Sequence, residues 1–402
     1  MATGSQPKRF SGGINALRFF GAVVVVLAHG GFFVFARWHA PQAILNIIQA
    51  RSLATSLFFL ISGFVVTQSL CRRGGQRRDF LLRRVARLYP VHVACFAILL
   101  CKLWFTGALP SPHALLLHCT LWVTMTHGFF PQCLFQYNYS TWAVTAFMAG
   151  YLILPGLVKK GQLAPREVVP VTAVCWLGVL IPNLALVWVF RNQFTYSLGA
   201  SAPGSQAVEF GTAAAHTCVV IRVLEMMMGA MLAMLVNDRG RGTVRALRFL
   251  SRTPVILACA AAIFCAVQCG GQDDRLRYLL SHGLLLPLLA VLVMGVWQNR
   301  GLVDRALGGT FLQRAGKASL LIYFLHVPVM ELVEGFGGSV WGAGAAAHGS
   351  TIFLAGFATT LALAFALQPK YDAFSDRLSA WLGSIVPQAA APTPAIAAAP
   401  MP

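Results

Sequence analysis

The chain has 402 residues, of which 57% are hydrophobic and only 11% charged, against roughly 25% charged in an ordinary soluble domain. A single water-soluble core is excluded. Apolar runs of about 17 to 22 residues recur along the chain, each long enough at 1.5 Å per residue to cross a hydrocarbon layer of roughly 30 Å. A formal charge of +19 would suggest a nucleic-acid partner in a soluble protein. In a membrane protein it follows from the preference of Lys and Arg for cytoplasmic loops, and no nucleic acid is expected.

The pattern predicts an all-α polytopic membrane protein of about ten helices. The spans fall at about 14–35, 53–70, 89–107, 140–158, 168–190, 217–236, 254–269, 278–297, 316–334 and 350–367. With both termini cytoplasmic, the internal segments hold 23 of the 31 basic residues, including seven Arg between positions 72 and 87. A further apolar stretch, 114–130, is read as re-entrant or surface-lying, because counting it as a crossing would put Lys159 and Lys160 outside. Eleven crossings are the alternative.

The first span is too long for a signal-peptide core and lacks a small-residue cleavage site, so it is read as retained. Residues 1–380 then form one membrane domain, and 387–402 a disordered Pro/Ala-rich tail. The ten Cys show neither CxxC nor Cys/His spacing. They are read as small packing residues, and no metal is expected.

Ionisable groups inside a bilayer are costly, so each is a functional candidate. In the first span Arg18 precedes His29 by eleven positions. In an unbroken α-helix that is about 1100°, within roughly 20° of whole turns, so both side chains share one face at depths differing by about 16 Å. The second span carries Ser62 and Gly63, small enough for close helix approach. The Arg-rich segment that follows suits planar guanidinium recognition of phosphate, on a polyphosphorylated ligand or on anionic lipid headgroups. Its Arg83, Arg84 and Arg87 lie at helical spacing just before the third span.

Farther on, Arg222 and Glu225 stand three apart on one helical face and are read as a pair. His326 lies in an apolar helix, with Glu331 and Glu334 near its outer end. A lone His or a lone ion pair on such a helix also serves packing, so spacing alone does not assign these residues a role.

Five segments together resemble the integral-membrane acyltransferase 3 family, which O-acylates surface polysaccharides, lipopolysaccharide, Nod-factor-like oligosaccharides and some macrolides. They are Arg18-x10-His29, Phe-Phe-Leu-Ile-Ser62-Gly-Phe, Arg83-Arg84-Val-Ala-Arg87-Leu-Tyr-Pro, Arg222-Val-Leu-Glu225-Met-Met-Met-Gly, and Gly-Lys-Ala-Ser-Leu-Leu-Ile-Tyr323-Phe-Leu-His326. The resemblance covers residues 10–375 or so. One departure is plain: in Tyr139-Ser-Thr-Trp-Ala-Val-Thr-Ala-Phe147, Phe147 stands where the family usually carries Glu. A milder one is Gln368-Pro369, where Glu-Pro is common.

The resemblance implies an acyl-CoA donor, most commonly acetyl-CoA, no bound cofactor, a carbohydrate hydroxyl as acceptor, and a bacterial inner-membrane location among lipid. It assigns His29 to general-base catalysis or acyl relay and Arg18 to its support. Arg83, Arg84 and Arg87 would bind donor phosphates, and Ser62, Arg222, Glu225, Tyr323 and His326 would support the site. A His fits the chemistry, since a sugar hydroxyl is a poor nucleophile until its proton is accepted. A secondary transporter and a non-catalytic partner in polysaccharide export are the competing classes; the first usually shows internal repeats, and none is seen here.

Overall fold

A computed structural model describes residues 12–73, 77–130, 133, 136–160, 165–192, 194, 206–238, 240–271, 273–342 and 348–386. The tail 387–402 lies outside the described residues. The first apolar run folds as α1 (Gly12–Val26), five π-helical residues (Leu27–Gly31) and α2 (Phe32–Arg37), followed by the short α3 (Gln42–Gln49). Then come α4 (Arg51–Arg73), α5 (Arg77–Phe105), α6 (Pro112–Val123), α7 (Trp142–Lys160), α8 (Pro165–Val189), α9 (Gln206–Thr217) and α10 (Val219–Asn237). The rest of the bundle is α11 (Arg241–Leu250), α12 (Thr253–Gly270), α13 (Asp274–Leu279), α14 (Leu286–Gln298), α15 (Leu302–Leu307), α16 (Thr310–Trp341) and α17 (Gly349–Ile385).

Among the described residues eight helices are long and apolar enough to cross a membrane, and α13 with α14 makes a ninth if their 46° bend lies within one span. The expected ten is therefore higher than the helices support by length. The difference lies in α7, whose apolar part, Trp142–Val158, falls short of a full crossing. The 114–130 stretch forms α6, 12 residues or about 18 Å of helix, which is too short to span.

The burial pattern is inverted relative to a soluble protein. Large apolar side chains such as Phe33, Phe105, Trp188 and Phe336 are exposed on the outside, while Arg222, Glu225, Ser56, Thr67 and His326 are buried inside. Lipid takes the place of water around the apolar exterior, and Arg222, Glu225, Ser56 and His326 find hydrogen-bond partners within the bundle.

At the centre, α4 crosses α10 at glycine-to-backbone contact. A Cβ on Gly63 would overlap the Met226 carbonyl oxygen, and one on Gly229 would overlap the Leu60 carbonyl oxygen. Small residues at such crossings let dispersion act between backbones where no hydrophobic effect separates helix from lipid. The bend between α13 and α14 is satisfied in the same internal way. Gly283 sits at φ +143°, His282 Nδ1 donates to the Tyr278 carbonyl oxygen at 2.9 Å, and Trp176 Nε1 donates to the freed Gly283 carbonyl oxygen at 2.9 Å.

Candidate active site

A cavity of about 510 Å³ opens among α1, α4, α5, α7, α16 and α17. Its lining on α4 runs from Ser69 to Thr55, a depth of about 21 Å along the helix. One end is cationic: Arg18, Arg83, Arg84, Arg87 and Lys317 line it against two carboxylates, Asp372 and Asp376. Arg87 is held to Asp372 at 2.8 Å, and Gln368 donates to the same carboxylate. Arg84 lies over the rings of Phe80 and Tyr151, 5.2 and 5.3 Å from their centroids, which fixes its guanidinium plane at the wall. The deeper part is aromatic and aliphatic, with Phe58, Phe59, Val144, Phe147, Tyr323 and Phe324. Ser62, whose hydroxyl lies 3.0 Å from the Tyr151 hydroxyl, is on the same wall.

The cavity thus divides the Arg-rich segment. Arg83, Arg84 and Arg87 face inward, whereas Arg78 donates to the Gly383 carbonyl at 2.5 Å and to that of Val386, binding the free end of α17. Arg77 donates to the Leu152 carbonyl at 3.1 Å, and Arg72 covers the Trp297 ring.

His29 and His326, 297 positions apart, meet behind the inner wall. His29 Nδ1 is 2.8 Å from His326 Nε2, with the two rings parallel. His326 Nδ1 is 2.7 Å from the Tyr323 carbonyl oxygen. A carbonyl only accepts, so the His326 proton sits on Nδ1 and its Nε2 carries a lone pair. His29 must then donate from Nδ1, which leaves the His29 Nε2 lone pair free to accept a proton. His29 lies within the π-helical residues 27–31 and meets α16 at His326, while Arg18, farther back on α1, lines the cavity beside Lys317 and Tyr323, also of α16.

Tyr323 joins the two parts. Its ring lines the cavity 6.1 Å from Phe58, its hydroxyl donates to the Ser140 carbonyl at 2.7 Å, and its own carbonyl orients His326. Tyr139 stands edge-on to His29, ring centroids 5.0 Å apart.

Arg222 and Glu225 pair as expected, fully buried, with Arg222 Nη1 donating to both carboxylate oxygens at 2.8 and 2.9 Å. Ser56 donates to Glu225 at 2.6 Å, and Arg222 Nε donates to the His216 carbonyl at 2.7 Å. Neither charge lines the cavity. The Phe59 ring intervenes, carrying the Arg222 guanidinium at 5.8 Å and stacking on Phe147 at 4.4 Å. Glu225 anchors Arg222 beneath the aromatic wall.

Sequence reasoning missed Lys317, Asp372 and Asp376 at the mouth and Tyr139 at the dyad, although Lys317 and Tyr139 lie inside motifs already singled out. An ionisable residue two turns inside a membrane-length helix, as Lys317 is, was a usable signal.

A family profile described as an acyltransferase domain, of the acyltransferase 3 type, matches residues 11–368, a range that holds both histidines and all five cations of the cavity. A protein of Streptomyces mycarofaciens named acyltransferase MdmB is 26% identical over 340 residues, covering 79% of this chain and 78% of its own. No solved structure matches the chain. With a profile match over most of its length and a bundle of membrane-length helices, the chain belongs to the acyltransferase 3 family and is a multi-pass membrane acyltransferase.

Proposed function

We propose that the protein transfers a short acyl group, acetyl in the simplest case, from coenzyme A to a carbohydrate hydroxyl. The observation that carries this reading is the cavity itself, cationic at the mouth, apolar within, and closed at its inner wall by the residue that orients the histidine dyad. Five cations suit the phosphates of coenzyme A, and the apolar part of a cavity roughly 21 Å deep in all suits its pantetheine arm and thioester.

The acceptor approaches from the opposite side, where His29 and Tyr139 are partly exposed. His29 Nε2 takes the hydroxyl proton as the oxygen attacks the thioester carbonyl. The tetrahedral adduct collapses with cleavage of the C–S bond, and the leaving thiolate takes the proton back from His29 Nε2. His326 is a positioning residue that holds the tautomer and stabilises the transient imidazolium. Arg18 neutralises donor phosphate or polarises the thioester carbonyl. A free basic nitrogen held by an oriented neighbour supports this reading over a non-catalytic partner.

On this reading α7 and the bent α13–α14 pair complete ten crossings, both termini are cytoplasmic, and the membrane is the bacterial inner membrane. Reporter fusions after Arg87 and Gly161 test the topology. A periplasmic signal at Gly161 would make 114–130 a crossing.

The central test is His29→Gln in purified protein. It should fold and bind coenzyme A while losing transfer by roughly 10² to 10⁴-fold, because an amide has almost no basicity. Transfer at the parental rate would remove His29 from the chemistry.

A further inference from the structure

The short helix α11 joins α10, which ends at Asn237, to α12, which begins at Thr253. Both neighbours are membrane-length helices, so α11 is tied to one surface of the bilayer. It is strongly amphipathic: Leu247 is buried, and with Leu250 it packs beside Ile256 in the cluster built around α14. The face pointing away from the protein carries Arg241, Arg245 and Arg248, all exposed. At 100° per residue these three fall at 0°, 40° and −20°, a stripe about 60° wide and 10 Å long. Arg252 follows just past the helix end, its guanidinium 5.7 Å from the ring of Phe249, and Phe249 is itself 53% exposed.

Topology alone accounts for basic residues in such a linker, wherever on the helix they fall. It does not account for their alignment on one face. Nor does pairing, since among the described residues no carboxylate ion-pairs with Arg241, Arg245, Arg248 or Arg252. A row of guanidinium forks without an ion-pair partner, beside an exposed Phe on a helix whose opposite face is already taken by protein, matches in charge the phosphate layer of a membrane.

We propose that the Arg241–Arg245–Arg248 face of α11 is a binding site for anionic phospholipid headgroups, with Arg252 at its edge and Phe249 inserted among the upper acyl carbons. This site is separate from the donor cavity, which none of its residues lines. Its occupancy therefore does not depend on the acyl-transfer reading.

The experiment titrates purified protein in neutral detergent with phosphatidylglycerol, phosphatidylcholine and inorganic phosphate. Binding is read by native mass spectrometry and by the rise in unfolding temperature. Phosphatidylglycerol is expected to bind and stabilise, phosphatidylcholine and inorganic phosphate not. The triple variant R241Q/R245Q/R248Q should lower the affinity for phosphatidylglycerol by roughly 10²-fold, while R241K/R245K/R248K, which keeps the charge, stays within about tenfold of the parent. R305Q/R314Q, which removes two charges away from α11, should leave binding unchanged. Should the triple Gln variant fail to fold, R245Q alone should lose about fivefold. Undiminished binding by the Gln variants, or equal loss in R305Q/R314Q, overturns the proposal. Displacement of phosphatidylglycerol by inorganic phosphate would assign the stripe to free phosphate and overturn it as well.

Discussion

His326→Leu removes the group that holds His29 while leaving the donor cavity intact, since His326 is not among the residues lining it. In the resting state the 2.8 Å contact between His29 Nδ1 and His326 Nε2 joins two neutral rings, an interaction of about 0.5–1.5 kcal/mol. When His29 takes the acceptor proton on Nε2, the same Nδ1–H belongs to an imidazolium, and the bond rises to about 1.5–3 kcal/mol. Only the difference, about 1–1.5 kcal/mol, acts on the barrier, which amounts to roughly 5- to 12-fold in kcat. Loss of tautomer control adds a further few-fold, because a freed His29 divides between a form with its Nε2 lone pair exposed and one without. The expected loss in kcat is thus about 10- to 50-fold, with donor KM unchanged. His326→Gln should recover most of it, since its amide oxygen can accept from His29 Nδ1–H. The assay is steady-state acyl transfer by purified protein, run also in a His29→Gln background, where His326→Leu should cost nothing more. Equal losses for Leu and Gln, or a full Leu penalty without His29, would refute the positioning argument.

Other outcomes follow from the same geometry. Arg222→Met leaves the Glu225 carboxylate buried with only Ser56 and should cost about 3–5 kcal/mol in detergent unfolding, whereas Arg222→Met with Glu225→Leu should recover at least half of that. Arg83→Lys with Arg84→Lys keeps the charge but loses the guanidinium fork, so donor KM should rise about tenfold with kcat unaltered; an unchanged KM would remove these residues from donor recognition. Phe147→Ala deepens the apolar wall where Phe147 stacks on Phe59, and kcat/KM for butyryl relative to acetyl donor should rise about tenfold in a chain-length series. Gly63→Leu should abolish folding as judged by gel filtration, because its side chain would occupy the Met226 backbone.

The helices were legible because the bilayer leaves the backbone little choice: every N–H and C=O must be satisfied internally, so long apolar runs become long helices. What was not legible arises where helices depart from regularity. The run 278–297 is continuous in hydropathy, and only Ser281, His282 and Gly283 signal that it breaks by 46°. Likewise five π-helical residues, Leu27–Gly31, interrupt the first span around His29, which its hydropathy does not signal. Asp372 was overlooked because it follows the last apolar run, where polar residues resemble the start of a tail, whereas α17 continues unbroken to Ile385 and brings that carboxylate back to Arg87.

The Arg-rich segment illustrates the limit most directly. From sequence, helical spacing and the family resemblance single out Arg83, Arg84 and Arg87 among its seven guanidiniums, but composition leaves donor phosphate and lipid headgroup equally open. In the fold they separate by helix phase: Arg83, Arg84 and Arg87 turn into the cavity, Arg78 binds the end of α17, and Arg72 packs on Trp297. The phase of α5 is decided by what it packs against, which includes α16 and α17, more than two hundred positions away. Motif spacing can therefore nominate an arginine, but only tertiary packing decides whether it meets substrate. The donor-affinity test accordingly belongs on Arg83 and Arg84 rather than on the segment as a whole, because Arg87 is already engaged by Asp372 and its removal would perturb the α5–α17 contact together with any ligand.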